Sequence, residues 1–266
     1  MHCSISLICV TEQAFCYTAA MEKQIKLKTK DKHNIYGTLT THTKPSDTLA
    51  IIVHGLTGHP NEHCFYNAAK QFPKKGVDVF RFSLYTWLPG GRKLSECTIG
   101  THSEDLNKVV QHFRKKYRHI TVIGHSLGSP TILKSDTSKV NTVVLWDPSY
   151  LANHSEDLPR KATLDGKTIC LDEGGVDCVL NPAMVEEWKW FNSENELELI
   201  ANLSKPLKII AAQKGILVPG SKKYHQVAQE PKDLAIVPSA THCFDEEGAE
   251  EVLLSETLQW IKKHSK

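Results

Sequence analysis

The sequence predicts an α/β fold: a mostly parallel eight-stranded sheet with helices on both faces and one long inserted segment. Three observations carry this. Short β-rich runs alternate with helical patterns, as in a parallel sheet whose crossovers are helices. Leu49–Val53 is a continuous apolar run, as expected of a strand buried on both faces. Residues 147–206 separate two strand-like runs by far more than the roughly dozen residues a simple crossover needs.

The elements follow in order. Residues 23–29 and 35–41 read as two opening strands, and 49–53 as the third. Residues 61–72 read as a helix, with Phe65, Ala68, Ala69 and Phe72 on one side. Val77–Phe82 is the fourth strand. A helix is expected over about 103–118, on the stripe Leu106, Val109, Val110, Phe113 and Tyr117, with Ser103 as its cap. Strands at Ile120–Ile123, Asn141–Trp146, Leu207–Ala211 and Leu234–Val237 complete the eight, and a helix over about 248–264 closes the domain. Within the long segment, Asp165-Gly166 is a turn dipeptide. Asn181-Pro182 opens a helix through Trp190, with Pro at its first position. Ser193 with Glu196 is a capping box for a second helix. Residues 148–205 are therefore read as an inserted cap over the strand ends, where open α/β sheets bind ligands.

Composition excludes several classes. The chain has 266 residues, 40% hydrophobic and 23% charged, with a formal charge of +2. That balance calls for neither a nucleic acid nor a membrane surface as partner. The basic run from Arg114 to Arg118 is read as a solvated helix end. No apolar run reaches the ~18 residues of a membrane span. Residues 1–20 lack a positive n-region and read as a disordered extension or a misassigned start, with a cleaved signal peptide as the alternative. Residues 21–266 form the domain, and a cytoplasmic address is expected. Of eight Cys, none pairs as CxxC, so zinc is poorly supported and free thiols are the default; a Cys170–Cys178 disulfide would require an extracellular address. His59 and His63 lie four apart but lack the His-Glu-x-x-His arrangement of a zinc protease. Neither a metal nor a cofactor is expected.

The segment His119-Ile120-Thr121-Val122-Ile123-Gly124-His125-Ser126-Leu127-Gly128 carries the chemistry. It reads as a strand, then Gly-x-Ser-x-Gly, then a helix. A Ser at so sharp a turn stands clear of the sheet, and the two Gly residues remove side chains that would collide there. The helix start and the Leu127 amide favour negative charge on an attacked carbonyl oxygen. A Ser needs a base within hydrogen-bond reach to become nucleophilic. Among fourteen His, His242 alone follows the final strand by a few residues, at the sheet end where Ser126 is expected.

Residues 21–266 resemble the α/β-hydrolase superfamily in its esterase and lipase-like branch. Gly124-His125-Ser126-Leu127-Gly128 is similar to that family's nucleophile elbow, His54-Gly55-Leu56-Thr57-Gly58 to its oxyanion loop, and Ala240-Thr241-His242-Cys243-Phe244 to the loop carrying its catalytic His. The resemblance implies Ser126 as nucleophile, His242 as general base, and the Leu56 and Leu127 amides as oxyanion hole. His54 and His125 would shape the loops without moving protons.

The acid departs from the family pattern. The usual Asp after the seventh strand is replaced by Gly215, in Ala212-Gln213-Lys214-Gly215-Ile216-Leu217-Val218-Pro219. A minority of the superfamily carries the acid one strand earlier, where this chain has Asp147. Its task would be to hold the His242 tautomer and stabilise the imidazolium. The alternatives are a turn role for Asp147 before Pro148, and an acid from the cap, such as Asp172, Glu173 or Asp177. The expected reaction is hydrolysis of a carboxylic ester, with a small or medium acyl group, through an acyl-enzyme. An acyltransferase, thioesterase or amidase on the same fold, or an inactive binding relative, are the alternatives. Trp87, Trp188, Trp190 and Phe191 are candidates for an acyl pocket or for cap packing.

Overall fold

A computed structural model describes residues 21–150, 161–163, 169–173, 176–191 and 193–265. Its main sheet has eight strands in the order β1-β2-β4-β3-β5-β6-β10-β11. These are β1 (Met21–Lys28), β2 (Asn34–Thr41), β3 (Thr48–Val53), β4 (Asp78–Phe82), β5 (His119–His125), β6 (Thr142–Trp146), β10 (Leu207–Ala212) and β11 (Lys232–Val237). Strand β2 runs antiparallel to β1 and β4, and every pairing from β4 to β11 is parallel.

Every residue of β3, β4, β5, β6 and β10 is buried. Strands covered on both faces have no polar side to alternate with, which is why they read as unbroken apolar runs. Alternate residues still sort to opposite faces. Leu49, Ile51, Val122, Val143, Leu145 and Ile209 join one core, with Leu106, Val109 and Phe113 of α2 (Ile99–Phe113) and Ile132 of α3 (Gly128–Lys134). Ala50, Ile52, Ile123, Val144, Trp146 and Ile210 join the other, with Phe65 and Ala68 of α1 (His63–Gln71) and Leu253 and Ile261 of α7 (Ala249–His264). Truncating any of the larger of these to Ala removes about 2–5 kcal/mol.

Helix α2 starts earlier than the sequence suggested. Thr98 is its cap: the Thr98 hydroxyl accepts from the Thr101 amide at 3.1 Å, and the Thr101 hydroxyl accepts from the Thr98 amide at 2.9 Å. Ser103 lies inside the helix, where its hydroxyl donates to the carbonyls of Ile99 and Thr131. Two further elements were not anticipated. Helix α6 (Val218–Val227) follows β10, with Pro219 in its first turn. Between β6 and β10 lies a second antiparallel sheet, β7 (Lys161–Thr163), β8 (Ile169–Glu173) and β9 (Val176–Leu180), followed by α4 (Pro182–Trp190) and α5 (Ser193–Ala201). In that ladder Cys178 stands opposite Leu171, and Cys170 opposite Val179. Ile200, at the end of α5, and Leu203 just beyond it belong to the main core, so this end of the segment is built into the body.

Residues 1–20, the Asp165-Gly166 turn and the side chains of Asp172, Glu173 and Asp177 lie outside the described residues. Among those described, no helix is long and apolar enough to cross a membrane, and no cluster of three or more His, Cys, Asp or Glu is arranged to hold a metal.

Candidate active site

The sheet delivers five loops to one edge, at the carboxyl ends of parallel strands β3, β5, β6, β10 and β11. This is the edge where open α/β sheets bind ligands. Ser126 follows β5 directly and has φ 52°, in the left-handed region that L residues avoid. Holding it there costs on the order of 1–3 kcal/mol. The turn is pinned by its neighbours: the Ser126 amide donates to Trp146 O at 3.1 Å, and Ser126 O accepts from the Ser129 amide at 2.9 Å. Both flanking glycines are required. A Cβ on Gly128 would lie 2.4 Å from Val53 O, and one on Gly124 would lie 2.7 Å from Ile132 Cδ1.

His242 and Asp147 meet. His242 Nδ1 stands 2.6 Å from Asp147 Oδ2, and the Ala212 amide donates to Asp147 Oδ1 at 3.0 Å. The Asp147 carboxyl is fully buried, while His242 is partly open. An acceptor-only carboxylate fixes the proton on Nδ1 and leaves the Nε2 lone pair facing the cavity. Asp147 itself has φ 36°, so it too is held in an uncommon conformation by the sheet end. The vacancy at Gly215 explains how this acid fits: a Cβ there would lie 3.2 Å from Asp147 Oδ2. The carboxylate from β6 thus fills the space that a side chain after β10 would enter.

Ser126, Asp147, Ser149, Gly215, Ile216, Leu217 and His242 line one cavity of about 290 Å3. Ser126 Oγ has Ser149 Oγ as its hydrogen-bond partner, at 3.2 Å. Serine–histidine contacts often tighten only when substrate arrives. Ser149 was not singled out from sequence, since a Ser two residues past a strand carries no signal of its own. It is anchored by its amide, which donates to Ser126 O, and by its carbonyl, which accepts from Tyr224 OH at 3.0 Å.

The Leu56 loop sits against Ser126. A Cβ on Gly55 would lie 2.9 Å from Ser126 Cβ. Neither the Leu56 nor the Leu127 amide is engaged in a backbone hydrogen bond among the described residues. Both are therefore available to an incoming oxygen. His54 braces this loop from below. The Leu84 amide donates to His54 Nε2 at 3.0 Å, which places the ring proton on Nδ1, and Nδ1 donates to Gly55 O at 2.8 Å. Burial pushes His54 down to about 4, against the pull of its bond to Gly55 O. It stays neutral and structural.

His125 does the same for the loop that carries His242. Its Nε2 donates to His242 O at 3.0 Å, and burial, with repulsion from His242, pushes it down to about 3. His63 ties the other side of the loop. Its Nε2 lies 2.9 Å from Cys243 O and 2.7 Å from Asp245 Oδ1, and its Nδ1 bonds to Glu250. Burial lowers the basicity of His63, but Glu250 and Asp245 prevail and raise it. His63 is thus a clamp between α1 and α7.

No family model matches the sequence, and no curated protein matches it. Solved structures do match. Est1E from Butyrivibrio proteoclasticus, with ferulic acid bound, superposes with a TM-score of 0.78 at 16% identity, over 91% of this chain and 99% of that one. The esterase domain of a Rhodothermus marinus protein gives 0.73 at 17% identity, over 92% and 100%. The alpha/beta hydrolase GrgF from Penicillium sp. sh18 gives 0.70 at 15% identity, over 92% and 99%. At these identities the likeness establishes architecture: the chain has the α/β-hydrolase fold, and the expectation of that fold from the sequence holds.

Proposed function

We propose that this α/β-hydrolase-fold protein is a serine hydrolase that cleaves a carboxylic ester through an acyl-enzyme. The observation that carries the reading is the 2.6 Å contact between His242 Nδ1 and a fully buried Asp147 carboxylate, in the cavity that Ser126 also lines. In the proposed reaction Ser126 Oγ attacks the carbonyl carbon and its proton passes to His242 Nε2. The carbonyl oxygen gains the negative charge and takes hydrogen bonds from the Leu56 and Leu127 amides, a contribution of about 2.7–4 kcal/mol per donor at the transition state. His242 then protonates the leaving alkoxide as the C–O bond breaks. Water, deprotonated by His242, attacks the acyl carbon, and Ser126 leaves with the returned proton. Asp147 keeps His242 in the working tautomer and faces the imidazolium when it forms.

The fold neighbours named esterases support hydrolysis as the reaction class. In the same reading the segment carrying β7, β8, β9 and α4 serves as a cap that selects substrate. The test is hydrolysis of p-nitrophenyl esters by the wild type and by Ser126→Ala. A rate that falls at least about 10^3-fold in Ser126→Ala is expected. Equal rates in the two proteins would remove Ser126 from the reaction.

A further inference from the structure

A second cavity, of about 890 Å3, opens one residue past Leu56, within the same loop. It begins at Thr57, Gly58 and His59 and is walled by Tyr85, Trp87, Leu88, Leu94 and Val179. Three features tie it to the site. Tyr85 OH donates to Gly55 O at 3.4 Å, and Gly55 abuts Ser126. Leu56, Tyr85 and Leu94 pack on the same apolar cluster as Leu127, the residue after the nucleophile. The wall also includes Cys178 and Val179 of β9, so the inserted segment helps to close it.

Among the described residues, part of its apolar wall stands exposed. Nine large apolar side chains are exposed among the described residues, and three of them, Trp87 at 86%, Leu88 at 50% and Val179 at 38%, meet at this cavity. Isolated exposed apolar residues are ordinary, but a group of them lining a concave surface marks a binding site. The cavity at Ser126 differs in size. At about 290 Å3 it is a third as large, and it is the one that His242 lines.

The proposed reaction constrains which part of a substrate each cavity can hold. The leaving oxygen has to face His242, because it takes its proton there. The carbonyl oxygen has to face the Leu56 and Leu127 amides. The remaining substituent of the attacked carbon, the acyl chain, is left with the direction away from His242 and past the oxyanion loop. We infer that the 890 Å3 chamber behind Leu56 receives a large apolar acyl group, linear or ring-bearing, and that the small cavity at His242 receives a short alcohol. This rests on the serine-hydrolase reading and specifies its substrate: a hydrophobic carboxylic acid esterified to a small alcohol.

Two ester series read the assignment directly. With p-nitrophenol as the fixed leaving group, kcat/KM is expected to rise about threefold per acyl methylene from acetyl to octanoyl. With a butyryl group fixed, lengthening the alkyl alcohol from methyl to octyl is expected to leave kcat/KM flat or lower it. Trp87→Ala, at a site too exposed to matter for folding, is expected to lose about tenfold on octanoyl esters and less than about twofold on acetyl esters. Preference for a long alcohol over a long acyl group, or a Trp87→Ala loss independent of acyl length, would overturn the assignment. Labelling by a fluorophosphonate, abolished in Ser126→Ala, checks the premise separately. Labelling with the wrong length preference rejects the subsite assignment alone, and no labelling rejects it together with the nucleophile.

Discussion

Replacing Asp147 by Asn tests the site with a change of one atom. The carboxylate now serves two donors, the Ala212 amide at Oδ1 and His242 Nδ1 at Oδ2. An amide has only one acceptor. If its oxygen stays on the Ala212 amide, its NH2 faces His242 Nδ1 and forces the ring proton onto Nε2, where the base is blocked. If the amide is flipped, NH2 meets the Ala212 N–H, and two buried donors oppose each other at a cost of about 1–3 kcal/mol. The blocked orientation is the lower in energy. A His held in the wrong tautomer loses about 10^4 in kcat, or about 5.5 kcal/mol of transition-state stabilisation. The fold should persist, with the melting temperature within about 5 °C, because the substitution is isosteric and removes a buried charge. Steady-state kinetics on p-nitrophenyl esters, with a thermal melt as control, measures both. A companion pair tests the space at Gly215. Its φ lies outside the left-handed region, and a Cβ there would point 3.2 Å from the present carboxylate. Asp147→Ala combined with Gly215→Asp is expected to recover at least about tenfold over Asp147→Ala alone, since the new carboxyl enters the vacated space beside His242. An Asp147→Asn rate within about fivefold of wild type would refute the role argued for this residue.

Gly55→Ala should lower kcat by about 10^2–10^3 with little loss of fold, because the new Cβ meets Ser126 Cβ at 2.9 Å and displaces the loop that carries the Leu56 amide; unchanged kinetics would mean that the loop does not face the reacting oxygen. Stability should fall in acid before the ordinary carboxylates titrate. His54, His102 and His125 are buried, which pushes them down to about 4, about 3 and about 3. Below pH ~6.5 the unfolded chain therefore binds protons there that the folded protein does not. Asp105, pushed up to about 7 by burial, acts in the opposite sense and cancels about one of the three. A net loss of about 3 kcal/mol per pH unit is expected between pH 6 and 4. Urea midpoints measured at half-unit steps would show it, and a flat midpoint across that range would contradict the burial of these imidazoles.

Legibility in the sequence followed how local each signal is. Strands β3, β5, β6 and β10 were readable because burial on both faces makes each an apolar run. Ser126 was readable because its strained turn needs Gly124 and Gly128 within two residues. His242 was found by its place after the last strand. Asp147 was reached only through the family resemblance, since its partners Ala212 and His242 are 65 and 95 residues away. What stayed hidden depends on such distances: the bracing by His54, His125 and His63, the contact of Ser149 with Ser126, and the shared space of residues 147 and 215. Two misses were local. Thr98 was passed over as the cap of α2 because the apolar stripe that marked the helix begins only at Leu106, which placed its start at Ser103. Helix α6 was hidden because Val218-Pro219 was read only as the tail of the stretch where Gly215 replaces the usual Asp, although Pro in a first turn is also a helix start.

The chain leaves the sheet at β6 and re-enters at its neighbour β10, where Trp146 stands beside Ile210. The two ends of the excursion are therefore fixed at opposite ends of one parallel strand pair, since Leu207, where the chain re-enters, stands beside Val143 and not beside Trp146. Closing such a loop costs only about 0.6 kcal/mol more for each doubling of its length. A body of this kind can exchange its excursion for another of quite different size with little thermodynamic consequence, which is how one catalytic frame comes to serve many substrates. The seam for such a graft falls ahead of α5. A donor segment joined at residue 193 keeps Ile200 and Leu203 in the core, whereas one joined at 205 discards both. Each lost core side chain would remove about 2–5 kcal/mol, a large part of what a domain of ordinary stability possesses.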